Sequence, residues 1–379
     1  MVRRLHSMPV SELSLAKRLR RRLNHLFFGA EVKLSRWRRK KPVIGLVGFF
    51  GWGNYGDELF VDVWRQFLEP HFEVRVLPDM QAKPYYSRGI ARAVAKVDAI
   101  VIGGGDLVVP WSFSDLYWHK HYLTKPVFIG GVGVPRWGNN VEWIVRGMRE
   151  FFQHPSVKYI YARDPQSRAW IEQHLQPTAT LTDAPDLVCA LDLPAAVKPV
   201  QPVFGYTTRY LDPERYPDRD ADYEHIHIAA RRMQELGYKV RHVILGVDAV
   251  GLRDREDAKR MLLPDEELVY SQDISVLSRA IGECTVFASM KFHGTVVATM
   301  YAVPSVVIMP TTKSRNFLIR IDREDLMSHY SSAQMPHIVA ALPAPIAPES
   351  VETLRQQSTA ELLRIRDAIA TELGVTISH

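Results

Sequence analysis

His293 follows a buried, apolar run of this 379-residue chain and could move protons there. It stands in the stretch SMKFHGT (residues 289–295), between the strand-like run TVFAS and an apolar helix. The pKa of an ordinary imidazole lies near neutrality, so His293 can act as a general base or acid. Because Gly294 follows it at a strand-to-helix turn, we expect the ring to face a ligand cleft rather than to be structural.

An arginine at the end of another predicted strand could bind an anion. The run YARDPQS places Arg163 at the end of strand 157–163 and Ser167 in the first turn of helix 165–175. A guanidinium, a hydroxyl and free helix N–H groups together form an anion site. The alternative is a surface pair between Arg163 and Asp164.

Further cations follow the strands of the C-terminal half. Arg209 ends strand 203–207, and Lys313 follows strand 305–309. With Arg163 and Lys291, they would form a cationic ring for an anionic substrate. The alternatives are an interface salt bridge for Arg209 and a solvated charge for Lys313.

The first strand runs into a glycine loop, GWGNYG at residues 51–56, followed by Asp57 and Glu58. The spacing is that of a dinucleotide-binding loop, and Asp79 follows near the place of a ribose-binding acid. Two acids in the first helical turn would repel a diphosphate, so we reject that interpretation. Asp57 and Glu58 fit a sugar or a proton-transfer role better, with a helix cap as the alternative for Asp57.

These segments, in this order, resemble the polysaccharide pyruvyl transferase family over residues 43 to about 320. The loop NYGDE, beginning at Asn54, is similar to the family's opening motif. The glycines around Gly104, the run GGVGVP at 130–135 and the Arg-Asp-x-x-Ser element match further positions. TDAPDL at 182–187 matches the family's next acidic element, and we interpret Asp183 and Asp186 mainly as structural, linking the domains.

The stretch SMKFHG departs from the family pattern, because Lys291 replaces an arginine. Lysine keeps the charge but loses bidentate geometry, which weakens a phosphate or carboxylate role at that position.

The resemblance implies a function. Phosphoenolpyruvate would be the donor, a lipid-linked saccharide of the bacterial cell surface or an exopolysaccharide the acceptor, and a cyclic pyruvate ketal the product. His293 and Asp57 would be catalytic, with His293 as the base. Donor and acceptor would contact the other matched residues: Asn54, Glu58, Gly104, Arg163, Ser167, Arg209, Lys291 and Lys313. No cofactor and no metal are expected. A nucleotide-sugar glycosyltransferase and a non-catalytic sugar-binding scaffold remain alternatives.

Apolar strands alternate with helices along the chain, which predicts parallel sheets covered on both faces. We expect two Rossmann-like domains facing a cleft, the GT-B-like arrangement implied by the family. The predicted boundaries are 42–190 for the N-terminal domain, 191–202 for a proline-rich linker, 203–345 for the C-terminal domain and 346–379 for a C-terminal helix. Predicted strands are 43–49, 72–77, 98–105, 126–134, 157–163, 203–207, 239–245, 285–289 and 305–309.

Charge is concentrated at the N-terminus. Residues 1–41 carry thirteen Lys and Arg against two acids, whereas the whole chain has a net charge of +6. The enzyme body is therefore acidic and gives no reason to expect nucleic acid. The leucine stripe of residues 15–26, with its dense arginines, predicts a helix on an anionic membrane surface or, alternatively, one packed on protein. Two cysteines and no apparent leader or membrane span predict a cytoplasmic protein, at most peripheral on the membrane.

Overall fold

The computed structural model describes residues 41–77, 83–212, 214, 216 and 219–377. Residues 1–40 and Asp79 lie outside them, so the membrane interpretation of the basic segment stays a prediction. Within the described ranges, no helix combines the length and apolar character needed to cross a bilayer.

The strands are short and consist mostly of buried apolar residues. In chain order they are β1 (Val43–Val47), β2 (Glu73–Val76), β3 (Ala99–Ile102), β4 (Val127–Val132), β5 (Val157–Ala162), β6 (Thr180–Asp183), β7 (Val203–Thr207), β8 (Lys239–Val243), β9 (Glu267–Val269), β10 (Val286–Ser289) and β11 (Ser305–Val307). All ladders between them are parallel.

Two sheets result, and each has a topological switch point beside its first strand. The first has the order β2-β1-β3-β4-β5-β6 and the second β11-β10-β7-β8-β9. The chain leaves β1 toward one side of the sheet and returns through β3 on the other, and the same holds for β7 and β10. Ligands of open α/β sheets bind beyond the carboxyl ends of such strands. Those ends carry the glycine loop after β1 and His293 after β10.

The helices cover the sheets. They are α1 (Tyr55–Leu68), α2 (Lys83–Ala95), α3 (Glu142–Phe152), α4 (Pro165–Leu175), α5 (Arg219–Glu235), α6 (Asp248–Lys259), α7 (Ile274–Gly282), α8 (Phe292–Met300), α9 (Thr312–Arg320), α10 (Met335–Ala340) and α11 (Pro348–Leu373), with a 3₁₀ turn at Leu187–Ala190. The predicted class of two Rossmann-like domains is confirmed.

Several details differ from the sequence prediction. Strand β3 ends at Ile102, so the following glycines form a loop and do not extend the strand as predicted. The pattern predicts helices at 57–68, 88–96, 141–152, 165–175, 221–236, 273–282, 294–302 and 349–373. It does not predict β6, β9, α6, α9 or α10. They are short, or polar on most faces, and therefore leave a weak periodic signal.

The glycine loop joins the two halves of the molecule. Gly53 has φ +82°, and a Cβ atom there would lie 2.0 Å from the carbonyl oxygen of Val247. The Val247 amide donates to the Gly53 carbonyl at 2.8 Å. The hydroxyls of Tyr55 and Ser278 are 2.6 Å apart, which ties α1 to α7. The first loop is thus a packed interface element, and only glycine fits at position 53.

The last helix returns to the first sheet. Glu361 is 1% exposed and accepts a hydrogen bond from the Tyr159 hydroxyl at 2.6 Å. Ser358 Oγ donates to the carbonyl of Asp186 at 3.1 Å. Helix α11 therefore supports the turn that carries Asp186.

Candidate functional site

His293 lies in the first turn of α8, between the two domains. Its ring is buried, and it meets Phe60 of α1 edge-on, with ring centroids 4.9 Å apart. A Cβ atom on Gly56 would lie 1.7 Å from His293 Nδ1, so the backbone of α1 closes that side. Burial, with Lys313 and Arg163 nearby, lowers the pKa of His293, although Asp186 opposes the shift. The imidazole is therefore neutral near pH 7 and able to accept a proton.

Asp186 faces His293 from the first domain. Its Oδ2 lies 3.6 Å from His293 Nε2 and 3.7 Å from Arg163 Nη1. Its Oδ1 accepts from the amide of Val188 at 3.0 Å. Burial would raise the pKa of Asp186, but His293 and Arg163 outweigh it and hold the pKa below its ordinary value. An ionised carboxylate thus stands between the candidate base and a guanidinium.

Arg163 continues this chain of charges. It is 4% exposed and pairs with Asp106, whose other oxygen accepts from Lys313 Nζ at 2.9 Å. The Phe292 ring packs under both cations, 5.1 Å from the Arg163 guanidinium and 5.5 Å from the Lys313 ammonium. Burial opposes ionisation of Asp106, yet Lys313 and Arg163 hold its pKa well below the usual range.

Asp57 is the second predicted catalytic residue, and its environment differs from that of Asp106. It is 8% exposed and accepts from Asn54 Nδ2 at 2.5 Å. Burial raises its pKa to about 7, despite the opposing effects of Lys313 and Asn54. Near neutral pH the carboxyl group is therefore divided between its acid and its base form, as a proton-transfer group requires.

A pocket of about 210 Å³ opens beside these charges. Helix α9 begins at its rim, where Thr311 and Ser314 form a capping box. Three cations and two carboxylates share the lining with neutral side chains: Arg163, Arg209, Lys313, Asp106, Asp164, Val134, Pro135, Trp137, Thr311, Thr312 and Asn316. A smaller cavity of about 10 Å³ shares four of these residues and reaches Asp186, Phe292 and Arg320. Asp186 connects these cavities to His293, whereas His293 and Asp57 themselves line neither cavity.

Four of the sequence-predicted residues have other contacts. Lys291 Nζ donates to Asp254 Oδ2 at 2.6 Å and to the Leu245 carbonyl at 2.7 Å, and it does not line either pocket. The predicted cationic ring therefore lacks Lys291, because a buried carboxylate in the second domain holds that ammonium group.

The other three residues make local structural contacts, two of them to backbone amides. Glu58 Oε1 accepts from the amides of Gly51 and Gly53, at 2.9 and 3.1 Å, and so holds the first loop. Ser167 Oγ accepts from the Val134 amide at 2.9 Å. A Cβ atom on Gly104 would lie 2.9 Å from the Phe60 ring, so this glycine serves close packing.

Sequence reasoning missed two residues of the site. Asp106 directly follows the glycines after β3, and an acid at a strand end was a usable signal. Asp186 was interpreted mainly as a structural link between the domains. It does contact both domains, but the contact on the second domain is His293 itself. Among the described residues, no group of three or more His, Cys, Asp and Glu side chains could hold a metal ion.

Solved structures with a similar fold include two proteins identified as UDP-N-acetylglucosamine 2-epimerases, one of them provisionally, and a protein solved with UDP. A protein of Listeria monocytogenes provisionally identified as a UDP-N-acetylglucosamine 2-epimerase has 13% identity and a TM-score of 0.59, covering 89% of this chain and 98% of its own. MnaA of S. aureus, solved with UDP, has 10% identity and a TM-score of 0.51, covering 89% and 98%. The UDP-N-acetylglucosamine 2-epimerase of Rickettsia bellii has 10% identity and a TM-score of 0.51, covering 88% and 98%. At these identities the likeness concerns the GT-B fold alone.

The sequence comparisons are more specific. No functionally curated protein matches the chain. The model of the polysaccharide pyruvyl transferase family matches residues 54–311, which include Asp57, Arg163, Asp186 and His293. That match spans more than half of the chain, and the chain therefore belongs to the polysaccharide pyruvyl transferase family.

Proposed function

We propose that this protein transfers a pyruvyl group from phosphoenolpyruvate to two hydroxyls of a sugar, forming a cyclic ketal. The observation that carries the proposal is the continuous arrangement of His293, Asp186, Arg163, Asp106 and Lys313 beside one pocket. It combines a neutral imidazole with closely spaced cations, which suits a reaction that moves protons on an anionic donor.

The donor carries a carboxylate and a phosphate, so it needs several cations. Arg163, Arg209 and Lys313 line the pocket. Asp106 pairs with both Arg163 and Lys313, and a donor must therefore share these cations with a carboxylate or displace it. Arg163 is a better candidate than Lys313 for bidentate binding of a donor carboxylate or phosphate, because its guanidinium is planar and is held in place by Asp106.

The first chemical step adds a hydroxyl across the donor double bond. Protonated Asp57 gives its proton to the methylene carbon, which becomes a methyl group. A sugar hydroxyl bonds to C2 while Nε2 of His293, which makes no hydrogen bond in the structure, accepts the hydroxyl proton. The product is a tetrahedral adduct that still carries the phosphate.

The second step closes the ring. The bond from C2 to the phosphate oxygen breaks, and phosphate leaves with the proton of the His293 imidazolium. The second hydroxyl bonds to C2 and returns a proton to Asp57. Both side chains recover their starting forms, and the products are a ketal and inorganic phosphate. No oxidation or reduction occurs.

Asp186 stabilises the imidazolium that forms in the first step. An ionised carboxylate close to a catalytic histidine offsets the positive charge of the imidazolium. Asp186 faces Nε2, which is also the nitrogen that must accept the proton, because Nδ1 lies against Gly56. The pair is 3.6 Å apart, beyond hydrogen-bond distance, so the support is electrostatic at this separation. We propose a lipid-linked saccharide as the natural acceptor, in keeping with the basic N-terminal segment.

The test is phosphate release from phosphoenolpyruvate in the presence of a panel of methyl pyranosides. We expect release that requires both the sugar and the donor. Lys313→Ala should raise the apparent donor KM with a smaller effect on the acceptor KM. Lys259→Ala is the matched control, because Lys259 is exposed, pairs with Glu256 and lines neither pocket.

The alternative is the use of a nucleotide sugar, which the UDP-handling proteins of similar fold suggest. Thermal protection by UDP or UDP-sugars, without phosphate release from phosphoenolpyruvate, would favour that alternative. Sugar binding with neither property would favour a non-catalytic scaffold.

A further inference from the structure

Trp137 is exposed at the edge of the charged pocket. It is 74% exposed, although tryptophan is among the side chains that gain most from burial. It also lines the pocket, together with Val134, Pro135, Arg209 and Asn316. Ligand pockets are commonly lined by aromatic side chains together with a few polar groups, as this pocket is.

The indole of Trp137 packs against a second tryptophan, Trp111. The Trp111 ring packs against it at a centroid distance of 4.4 Å and an angle of 61°. A Cβ atom on Gly138 would lie 2.4 Å from Trp111, so the loop that carries Trp111 is in close contact with the loop that carries Trp137 and Gly138. The Val141 amide donates to the Pro110 carbonyl at 2.9 Å, which joins the same two loops again. Trp137 is therefore a supported platform and not the tip of an unsupported loop.

The chemistry around the platform is that of a saccharide subsite. One face of a pyranose presents C–H groups that pack on an aromatic ring, while its hydroxyls need polar partners. Asp106, Asp164, Arg209 and Asn316 supply donors and acceptors around the same pocket. The pocket, of about 210 Å³, is smaller than the ~300–1,000 Å³ of sites for drug-sized ligands. With the donor on Arg163 and Lys313, a sugar ring would rest at the edge of the pocket, where Trp137 is exposed.

We infer that Trp137 is the platform on which the acceptor saccharide stacks, in the same pocket as the cations that bind the donor. The inference rests on the proposed function, because it assigns the acceptor side of the same pocket. It makes Trp137 a specificity determinant for the sugar and leaves donor binding to Arg163 and Lys313.

The test uses the full chain and two kinds of measurement. Steady-state kinetics with phosphoenolpyruvate give the donor and acceptor KM, and saturation-transfer NMR with methyl pyranosides gives sugar binding without any donor. The variants are Trp137→Ala and Trp137→Phe. Trp143→Ala is the matched control, because Trp143 is 62% exposed on the neighbouring segment and does not line either pocket.

Trp137→Ala should raise the acceptor KM and weaken pyranoside binding by about fivefold to tenfold, with an unchanged donor KM. Trp137→Phe should recover most of the binding, and Trp143→Ala should resemble the wild type. Equal effects of Trp137→Ala and Trp143→Ala would overturn the inference, and so would a change confined to the donor KM. If the wild type shows no turnover with phosphoenolpyruvate, the proposed function fails. The NMR comparison still decides the platform, because pyranoside binding by the wild type that Trp137→Ala removes supports it, and no binding by the wild type contradicts it.

Discussion

Asp186 Oδ2 lies 3.6 Å from Nε2 of His293, across the boundary between the two domains. Asp186 follows the last strand of the first sheet, and His293 opens the helix after β10 of the second. The same carboxylate is 3.7 Å from Arg163 Nη1. A shift of one domain against the other would therefore separate the candidate base from its counter-charge, and the proposed activity would depend on the packing of the domains.

Asp186→Asn tests this relationship. We expect kcat to fall by ~10²-fold, at the low end of what a general base contributes. Since Asp186 favours protonated His293, its removal should also lower the pKa of the imidazole further and move the acidic limb of the pH–rate profile to lower pH. Asp183→Asn is the control, because Asp183 pairs with Arg168 and Arg320 away from His293. Unchanged turnover and an unmoved acidic limb would show that Asp186 has only a structural role.

Gly56→Ala tests the contact between α1 and the imidazole. The added methyl would lie 1.7 Å from His293 Nδ1, so the ring must move away from its position. We expect transfer to fall at least as much as after loss of a general base, by ~10²-fold or more, in a protein that still folds. The control is Gly147→Ala in α3, whose Cβ would meet Phe113 at an ordinary 3.4 Å. Normal turnover of a folded Gly56→Ala protein would mean that His293 can react from elsewhere.

Asp57→Asn should make the folded protein more stable at high pH while it abolishes transfer. The pKa of Asp57 is raised from 3.8 to about 7, so the folded protein keeps a proton there that the unfolded chain releases. Its contribution to stability therefore falls as pH rises from about 4 to about 7 and stays low above that. Above pH 7 the ionised, buried Asp57 therefore lowers the unfolding free energy, and Asp57→Asn removes that destabilisation. We expect the substitution to raise the unfolding free energy by on the order of 1–4 kcal/mol more at pH 8 than at pH 4. Transfer activity should be lost at both pH values.

The measurement is urea unfolding at the two pH values. Asp192→Asn at an exposed position should show no such pH-dependent gain. Equal effects of Asp57→Asn at pH 4 and pH 8 would contradict a raised pKa for this carboxyl.

Particular elements explain what the sequence could reveal. Strands such as β1 and β7 are fully buried and apolar, so they were predictable to within a few residues. His293, Asp57, Arg163 and Lys313 stand at strand ends beside glycines or helix starts. Arg163 and Lys313 line one pocket, and Lys313 interacts electrostatically with both His293 and Asp57. Spacing along the chain could not reveal which cation meets which carboxylate. Lys291 follows a strand end just as Lys313 does, but its ammonium group pairs with Asp254.

The N-terminal segment has a prediction that rests on its sequence alone. Thirteen Lys and Arg in residues 1–41 should bind anionic membranes, since each cation near such a surface contributes about 1 kcal/mol. We expect the full chain to sediment with liposomes containing phosphatidylserine at low salt and to dissociate as salt rises. Equal binding to neutral liposomes, or binding that salt does not weaken, would argue against electrostatic attachment.

The central claim is that this pocket protonates phosphoenolpyruvate and joins it to a sugar. The most direct measurement is the reaction of the full chain with phosphoenolpyruvate and a methyl pyranoside in D₂O, followed by NMR and mass spectrometry of the sugar. We predict a cyclic pyruvate ketal whose methyl group carries one deuterium from the solvent, and no such product from His293→Ala. A sugar recovered unchanged from the folded wild-type protein with every pyranoside of the panel, or a ketal formed equally well by His293→Ala, would contradict the account.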